Sequence, residues 1–300
     1  MSLRHVTRAA AALLIAAIPL GLTACSDTTN SADGKPTIST TFTILQDITE
    51  NIAGDTATVT SLTKPGDEIH GFEPTPATIK EAAHADMIIT NGLGLENWAE
   101  QLYKSSKATR VTASDGVTPI PIDGSDLPNP HAWMSPTVAQ KYVSNIEKAL
   151  AEKYPEHAET YHRNAQTYRD KIQKVRDDVA HELATIPNAT LVTCEGAFSY
   201  LAKDFHLKEG YIWPVNADGE ITASQINGAV ETVKRNKVPA TFCESTVNTG
   251  PQHQVLAATG ASDGGTLFVD SLTDSSGPAP TYLDLLTHDT TTIVNGLKKK

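Results

Sequence analysis

The chain has 300 residues, of which 39% are hydrophobic and 20% are charged, and its formal net charge at pH 7 is −11. A chain of this length is sufficient for two α/β domains. Because it is this acidic and shows no basic patch, it is a poor candidate for binding nucleic acid.

The amino terminus has the layout of a secretory signal peptide. Arg4 and Arg8 form a short positively charged region, and an apolar run from Ala9 to Leu20 follows. This run is too short to cross a membrane as a helix. The sequence Leu-Thr-Ala-Cys ending at Cys25 resembles a bacterial lipobox, in which cleavage precedes the cysteine and a lipid is attached to it. We therefore predict a signal peptide over 1–24 and a lipid anchor at Cys25, with an ordinary signal peptide cleaved elsewhere as the alternative.

A flexible tether is predicted over 25–35. The residues from Ser26 to Lys35 are rich in Ser, Thr, Asp and Gly, and such a composition buries too little apolar area to fold. No later run is long and apolar enough to cross a bilayer, so the lipid is expected to be the only membrane contact. The folded part of the chain is predicted to begin near Pro36.

From 36 to 154, runs typical of β-strands alternate with helical segments. Thr75 and Ser135, each followed by a proline, are typical helix N-caps. The alternation predicts a mostly parallel sheet flanked by helices, which we assign to an N-terminal lobe over 36–154. The predicted strands are Thr37–Thr43, Ala57–Leu62, Met87–Asn91 and Thr109–Thr112, and the predicted helices are Leu45–Ala53, Pro76–His84 and Leu95–Ser106.

A single long helix is predicted next, within a linker over 155–187. Apolar residues recur at alternating steps of three and four between charged residues, which is typical of a one-sided amphipathic helix. A coiled coil is the alternative, but alanine and tyrosine dilute the apolar seam and the run is short. A continuous helix between two lobes is expected to restrict wide hinge opening. The apolar positions are Tyr161, Ala165, Tyr168, Ile172, Val175, Val179, Leu183 and Ile186.

The strand-and-helix alternation resumes over 188–300, which we assign to a C-terminal α/β lobe. The predicted strands are Leu191–Cys194, Glu209–Trp213, Ala240–Cys243 and Thr266–Val269, and the predicted helices include Ala197–Phe205, Ala223–Asn236 and Tyr282–Leu297. Cys194 and Cys243 each lie at the end of one of these strands. If the two strands are parallel neighbours, the two sulfur atoms can approach bonding distance, so we predict either a disulfide or, equally, a pair of buried free thiols.

Four residues with metal-binding side chains lie just beyond predicted strands or in loops that follow them: His70, His131, Glu195 and Asp270. In an open α/β sheet, the loops at the carboxyl ends of the strands converge on one crevice. Two imidazoles and two carboxylates suit a borderline or hard divalent transition-metal ion, and the carboxylates balance its charge. The pattern therefore predicts one metal site.

Each carboxylate also has a purely structural interpretation. Glu195 could cap the helix predicted to begin near Gly196, a common role for an acidic residue there. Asp270 could cap a loop before Ser271. Glu244, at the end of another predicted strand, is expected to orient a metal ligand rather than to bind the ion itself.

Five motifs resemble, in their order and separations, those of the metal-binding lipoproteins of bacterial ABC importers for manganese, zinc and iron, in the group with a rigid linker helix. They are GDEIHGFEPTP, NPHAWMSP, EGAFSY, ATFCEST and LFVDS, and the similarity covers almost the whole chain after the signal peptide. The resemblance implies that His70, His131, Glu195 and Asp270 bind one ion between two α/β lobes. It also implies that the protein is not an enzyme and that it delivers the ion to a membrane permease driven by a cytoplasmic ATPase.

The identity of the metal is predicted from two departures from the zinc-binding pattern of that family, which tends to have histidine at the third ligand position and often a His-rich loop. Here Glu195 occupies that position, and 114–129 contains no histidine. Both departures favour harder ions, so we predict Mn(II), followed by Fe(II) or Zn(II). Affinity alone does not select manganese, because zinc lies above it in the Irving–Williams order.

Two other classes of function share parts of this pattern. A metal-dependent hydrolase or oxygenase needs an open coordination position and a nearby general base, for which no residue is recognisably placed. An adhesin or a siderophore-binding protein is the second class, but the motifs offer no cluster of arginines or aromatic residues for a siderophore. We expect a monomer anchored by its lipid to the outer face of the cytoplasmic membrane, at a cell surface or in a periplasm.

Overall fold

The computed structural model of the protein describes residues 34–215 and 221–299. The predicted signal peptide over 1–24, the lipid anchor at Cys25 and most of the tether over 25–35 lie outside the described residues. Within the two described ranges, no helix combines the length and the apolar character needed to cross a membrane.

The N-terminal lobe is built on a four-stranded sheet in which every pair of neighbouring strands is parallel, in the order β2-β1-β3-β4. The hydroxyl groups of Thr75 and Ser135 cap α2 and α4, as the sequence predicts, by accepting hydrogen bonds from the backbone N–H groups of Thr78 and Val138. The strands are β1 (Thr37–Thr40), β2 (Thr58–Ser61), β3 (Met87–Thr90) and β4 (Thr109–Thr112), and the helices are α1 (Thr43–Ala53), α2 (Pro76–Ala83), α3 (Glu100–Ser105) and α4 (Pro136–Lys153).

The predicted linker helix is present as α5 (Ala158–Leu183), which follows a short 3₁₀ turn at Pro155–His157. It packs against α1 and α4 on one side and against the carboxyl-terminal helix on the other. Its apolar stripe is buried as predicted, except that Val175 is only partly buried. Ile186, the last predicted position of the stripe, lies beyond the end of the helix and is also partly buried. The helix therefore contacts both lobes along its length.

The C-terminal lobe has two parallel ladders, β5–β6 and β7–β8. Because β5 and β7 also lie side by side, the strands run across the lobe in the order β6-β5-β7-β8. The strands are β5 (Thr190–Glu195), β6 (Lys208–Trp213), β7 (Ala240–Glu244) and β8 (Ser262–Leu267), and the helices are α6 (Ser199–Asp204), α7 (Ala223–Asn236), α8 (Gly250–Thr259) and α9 (Tyr282–Leu297).

Two elements of this lobe differ from the sequence prediction. The last strand is Ser262–Leu267 rather than Thr266–Val269. The prediction was wrong because β-propensity disfavours the glycines of this strand, whereas packing requires them. A Cβ atom at Gly264 would lie 2.3 Å from the ring of Phe242. Helix α8 was not predicted, since its sequence has no one-sided apolar stripe.

One hydrophobic core runs through both lobes. It contains Ile38 and Met87 from the N-terminal sheet, Tyr168 from α5, and Phe242 and Tyr282 from the C-terminal lobe. Each sheet packs its other face on a smaller cluster of its own. Two lobes of parallel strands flanked by helices confirm the predicted fold class, whereas the domain boundaries at 154 and 187 stay predictions.

Candidate metal centre

The structure brings the four predicted ligands together between the lobes. The Nε2 atoms of His70 and His131 are 3.0 Å apart. The Oδ1 atom of Asp270 lies 3.8 Å from Nε2 of His70 and 3.6 Å from Nε2 of His131. The Oε1 atom of Glu195 lies 3.9 Å from Nε2 of His70. The donor atoms of His70, His131 and Asp270, which are separated by up to 200 positions, thus all lie within 4.8 Å of one another, and Glu195 reaches this group through its contact with His70.

Both histidines lie in loops of the N-terminal lobe. His70 belongs to the loop between β2 and α2, and the carboxylate of Glu68 fixes its backbone by accepting hydrogen bonds from the N–H groups of His70 and Gly71, each at 2.7 Å. His131 lies between β4 and α4 and is followed by a 3₁₀ turn, Ala132–Met134. The His131 side chain is fully buried and packs on Trp133, with 5.2 Å between the ring centroids.

Both carboxylates come from the strand ends of the C-terminal lobe. Glu195 is the last residue of β5, and Asp270 follows the end of β8 by three positions. Asp270 is only 2% exposed, and its Oδ1 atom has no hydrogen-bond partner among the described residues. Burial alone would raise the pKa of Asp270, but the adjacent imidazoles of His131 and His70 lower it below its usual value. This group is therefore an ionised carboxylate at neutral pH.

Glu244 lies behind the centre rather than in it. It is the last residue of β7, is almost fully buried, and accepts a hydrogen bond from the backbone N–H of Glu195 at 3.2 Å. Burial, with smaller contributions from the nearby carboxyl groups of Asp270 and Asp289, raises the pKa of Glu244 to about 8. Glu244 is thus mainly protonated at pH 7, which leaves Glu195 and Asp270 as the two acidic groups that face the histidines.

A disulfide lies next to these carboxylates. Cys194 and Cys243 are joined across β5 and β7, with 4.8 Å between their Cα atoms. Each cysteine precedes one of the glutamates, Glu195 or Glu244. The covalent link therefore holds together the two strand ends that carry them.

Asn129 and Trp133, both in the NPHAWMSP motif, also contact the centre, and sequence reasoning missed the part that Asn129 plays. Asn129 accepts a hydrogen bond from the backbone of His131 and donates one to the carbonyl oxygen of Gly196 in the other lobe. The indole of Trp133 donates to the carbonyl oxygen of Val269 at 3.0 Å. Their positions two residues before and two residues after His131 were the only available signal.

Comparison with known proteins shows that this chain is similar to metal-binding transport proteins. The family model described as zinc-uptake complex component A, periplasmic, matches residues 38–296. The chain is 47% identical to the iron-binding protein YfeA of Yersinia pestis, over 86% of this chain and 85% of that protein. It is 34% identical to the manganese-binding lipoprotein MntA of Halalkalibacterium halodurans, over 96% of this chain and 97% of that protein. The solved structure of a Mn-bound periplasmic metal binding protein from Candidatus Liberibacter asiaticus superposes with a TM-score of 0.84 at 39% identity, covering 88% of this chain and 100% of that one.

Proposed function

The chain belongs to the family of metal-binding substrate-binding proteins of ABC importers, and on this basis we propose that it captures one divalent transition-metal ion, Mn(II) in the first place, between its lobes. Proteins of this family are transport components and not enzymes, and their partners are a membrane permease and its ATPase. The proposed ligands are His70, His131, Glu195 and Asp270, and the ion is the cargo.

The observation that supports the proposal most directly is the Oδ1 atom of Asp270. A buried carboxylate oxygen without a hydrogen-bond partner costs free energy, and a bound cation is one of the few groups that compensates it. This atom faces the Nε2 atoms of both histidines at 3.6 and 3.8 Å. Two neutral imidazoles and two carboxylates are a donor set that fits a divalent ion without residual charge.

Manganese is proposed because half of the donor set is carboxylate oxygen and no histidine occupies position 195. Zinc should bind such a site at least as tightly, so we propose that it blocks the site competitively rather than serving as the main cargo. Ferrous iron is the second candidate, since the relative that shares 47% identity is named an iron-binding protein. The lipid anchor at Cys25, the monomeric state and the location outside the cytoplasmic membrane belong to the same proposal.

Elemental analysis of protein purified without tags or chelators, followed by uptake assays with the cognate permease, tests the choice of metal. We expect bound manganese, uptake of manganese, and inhibition by zinc. Uptake of zinc as the main cargo with manganese ignored would contradict the assignment of manganese, and purified protein without any transition metal that also fails to bind one on titration would contradict the site.

The ligand role of Asp270 is tested by Asp270→Asn, which preserves shape and removes the charge. Loss of a ligand should weaken manganese binding, measured by titration calorimetry, by more than about 100-fold, since loss of a residue behind the ligands already costs 10–100-fold. Asp289→Asn is the matched control, because Asp289 is also buried in this lobe, where it accepts a hydrogen bond from the backbone N–H of Phe268 and burial raises its pKa well above the usual range. Equal effects of the two substitutions would contradict the role of Asp270.

A further inference from the structure

The side chain of Asn129 connects the histidine side of the proposed site to the carboxylate side. Its Oδ1 atom lies 3.1 Å from the backbone nitrogen of His131 and 2.9 Å from the Nδ1 atom of the same residue. Its Nδ2 atom lies 2.6 Å from the carbonyl oxygen of Gly196, the residue that follows Glu195. Because Asn129 is buried, water does not compete strongly for these hydrogen bonds.

The two backbone groups fix which end of the Asn129 amide faces His131. A backbone N–H only donates, so the atom opposite the His131 nitrogen is the amide oxygen. A backbone carbonyl only accepts, so the atom opposite Gly196 is the amide nitrogen. The orientation of the amide follows from groups whose hydrogen-bonding roles do not depend on protonation or tautomer.

This orientation determines the tautomer of the His131 imidazole. The amide oxygen of Asn129 accepts hydrogen bonds, so the Nδ1 atom beside it must carry the proton. In the neutral ring, Nε2 then has a free lone pair. Nε2 is the atom that faces His70 at 3.0 Å and Asp270 at 3.6 Å, so the lone pair points to the centre of the cluster.

We propose that Asn129 is a positioning residue of the metal centre, which holds His131 in the Nδ1-protonated tautomer and fastens it to the backbone beside Glu195. This inference rests on the proposed metal-binding function. It adds a residue whose side chain acts on ligands from both lobes without touching the ion.

The far end of the Asn129 contact is rigid enough for this role. The backbone N–H of Gly196 donates to the carbonyl oxygen of Trp213 at 3.0 Å, and a Cβ atom at Gly196 would lie 2.1 Å from the carbonyl oxygen of Pro214. The peptide that accepts from Asn129 is therefore held by the adjacent strand. On the other flank of His131, Trp133 donates to the carbonyl oxygen of Val269, so the His131 segment is fixed beside both carboxylates.

The tautomer is measured directly by side-chain ¹⁵N NMR of histidine-labelled, metal-free protein, with His131→Gln used to assign the signal. We expect His131 to be protonated at Nδ1 in the wild type. Asn129→Ala removes the acceptor, so both tautomers should be populated. Asn129→Asp keeps an acceptor for Nδ1 and loses the donor to Gly196, so the Nδ1-protonated form should persist.

Metal affinity is measured on the same proteins by titration with Mn(II). Asn129→Ala should weaken binding by about 10–100-fold, the usual effect of removing a residue that orients a metal ligand. Tyr200→Phe is the matched control: its hydroxyl also links the lobes, accepting from the backbone of Ile120 at 3.0 Å and donating to the backbone carbonyl of Asn129 at 2.8 Å. We expect this control to leave both the tautomer and the affinity unchanged.

Three results would overturn the inference. They are a wild-type His131 protonated at Nε2, an Asn129→Ala protein that keeps both the tautomer and the affinity, and a Tyr200→Phe protein that loses affinity to the same extent as Asn129→Ala. A wild-type protein that binds no transition metal would instead contradict the proposed function, and the NMR measurement separates the two failures because it needs no metal. If Asn129→Ala does not fold, the wild type and Asn129→Asp still decide the tautomer.

Discussion

The two lobes share one strand order but place the proposed metal ligands differently. The order β2-β1-β3-β4 in the N-terminal lobe corresponds to β6-β5-β7-β8 in the C-terminal lobe. In the N-terminal lobe, the two histidines lie in the loops that follow β2 and β4. In the C-terminal lobe, Glu195 is the last residue of β5 and Asp270 follows β8. The same topology thus places the proposed ligands well beyond the strands in one lobe, and at or within three residues of a strand end in the other.

In both lobes, a polar side chain at the end of the third strand in sequence order, β3 or β7, stabilises a segment of the candidate site. Asn91, directly after β3, donates a hydrogen bond to the carbonyl oxygen of Pro130, next to His131, and accepts one from the hydroxyl of Tyr142 at 2.6 Å. Glu244, at the end of β7, accepts from the backbone of Glu195. In each lobe a polar side chain on the third strand holds a segment that carries a ligand on a different strand.

The junction between the first and third strands differs most. Strands β1 and β3 are joined by a backbone ladder, with Ser39 opposite Ile88. Between β5 and β7 the described residues form no such ladder, and the Cys194–Cys243 disulfide lies there instead. A covalent link in the C-terminal lobe stands where hydrogen bonds join the strands of the N-terminal lobe.

Replacing both Cys194 and Cys243 by serine should therefore have the largest effect on stability. Loss of a link that closes a loop of about 50 residues is expected to reduce the free energy of unfolding by about 3–4 kcal/mol. Denaturant titration of the double variant against the wild type measures it. An unchanged midpoint would mean that packing alone holds β5 to β7, and the contrast between the lobes would disappear.

The second strands differ in charge, because β6 carries Glu209 and β2 carries no acidic residue. Glu209 lines a cavity of about 450 Å³ under the segment 119–123. Burial raises the pKa of Glu209 to about 7, although the hydroxyl of Ser199 donates a hydrogen bond to it. The folded protein therefore holds this proton more tightly than the unfolded chain, whose glutamate titrates near its ordinary value.

This difference makes stability depend on pH in a defined direction. The contribution of Glu209 is fully present below the ordinary glutamate pKa and is lost as the pH rises through about 7. Glu209→Gln removes the dependence, so relative to the wild type it should gain on the order of 2–3 kcal/mol between pH 4.5 and pH 8. Denaturant midpoints of the two proteins across this range measure the gain, and parallel curves would show that Glu209 is hydrated in the folded protein.

The smallest of the three expected effects on stability concerns a hydrogen bond of α5, the helix that contacts both lobes. The hydroxyl of Tyr168 donates to the buried carboxyl of Asp47 on α1 at 2.8 Å, and the same oxygen accepts from the backbone of Tyr282 at the start of α9. Tyr168→Phe leaves Asp47 with one partner fewer and should cost about 1–2 kcal/mol of unfolding free energy.

Tyr161→Phe is the matched control for Tyr168→Phe, because it removes a hydroxyl from the same buried stripe of α5. The hydroxyl of Tyr161 accepts a hydrogen bond from the neutral side chain of Thr56 at 3.0 Å. Hydrogen bonds between neutral groups are weaker than those to an acidic group, so Tyr161→Phe should lose less stability than Tyr168→Phe. Thermal melts of both variants and the wild type measure the two losses. Equal losses would mean that Asp47 does not link the lobes.

The sequence predicts most of the fold where local signals and tertiary packing agree. Helices α7 and α9 have the predicted bounds, because each begins at a threonine N-cap, Thr222 or Thr281, whose side chain accepts from the first turn. Strand β8 was misplaced because Gly264 has its role only in the presence of Phe242. Local propensity contains no information about such a neighbour.

The candidate site likewise has one part that local sequence signals predict and another part that depends on tertiary packing. Its four main residues could be selected from the sequence because they follow strands and occur in recognisable motifs. The contacts of Asn129 could not, because its partner Gly196 is 67 positions away and becomes a neighbour only when the lobes pack. The sequence predicted that Glu244 orients a ligand but not which one, because its contact with Glu195 depends on β5 and β7 lying side by side.

The hydrophobic core that passes through α5 has a consequence for how the protein opens. Because Ile38, Tyr168 and Phe242 belong to one cluster, the main hydrophobic core of one lobe is expected to unfold together with that of the other. A cargo ion that stabilises the folded form should therefore slow amide-proton exchange in the sheets of both lobes to a similar degree.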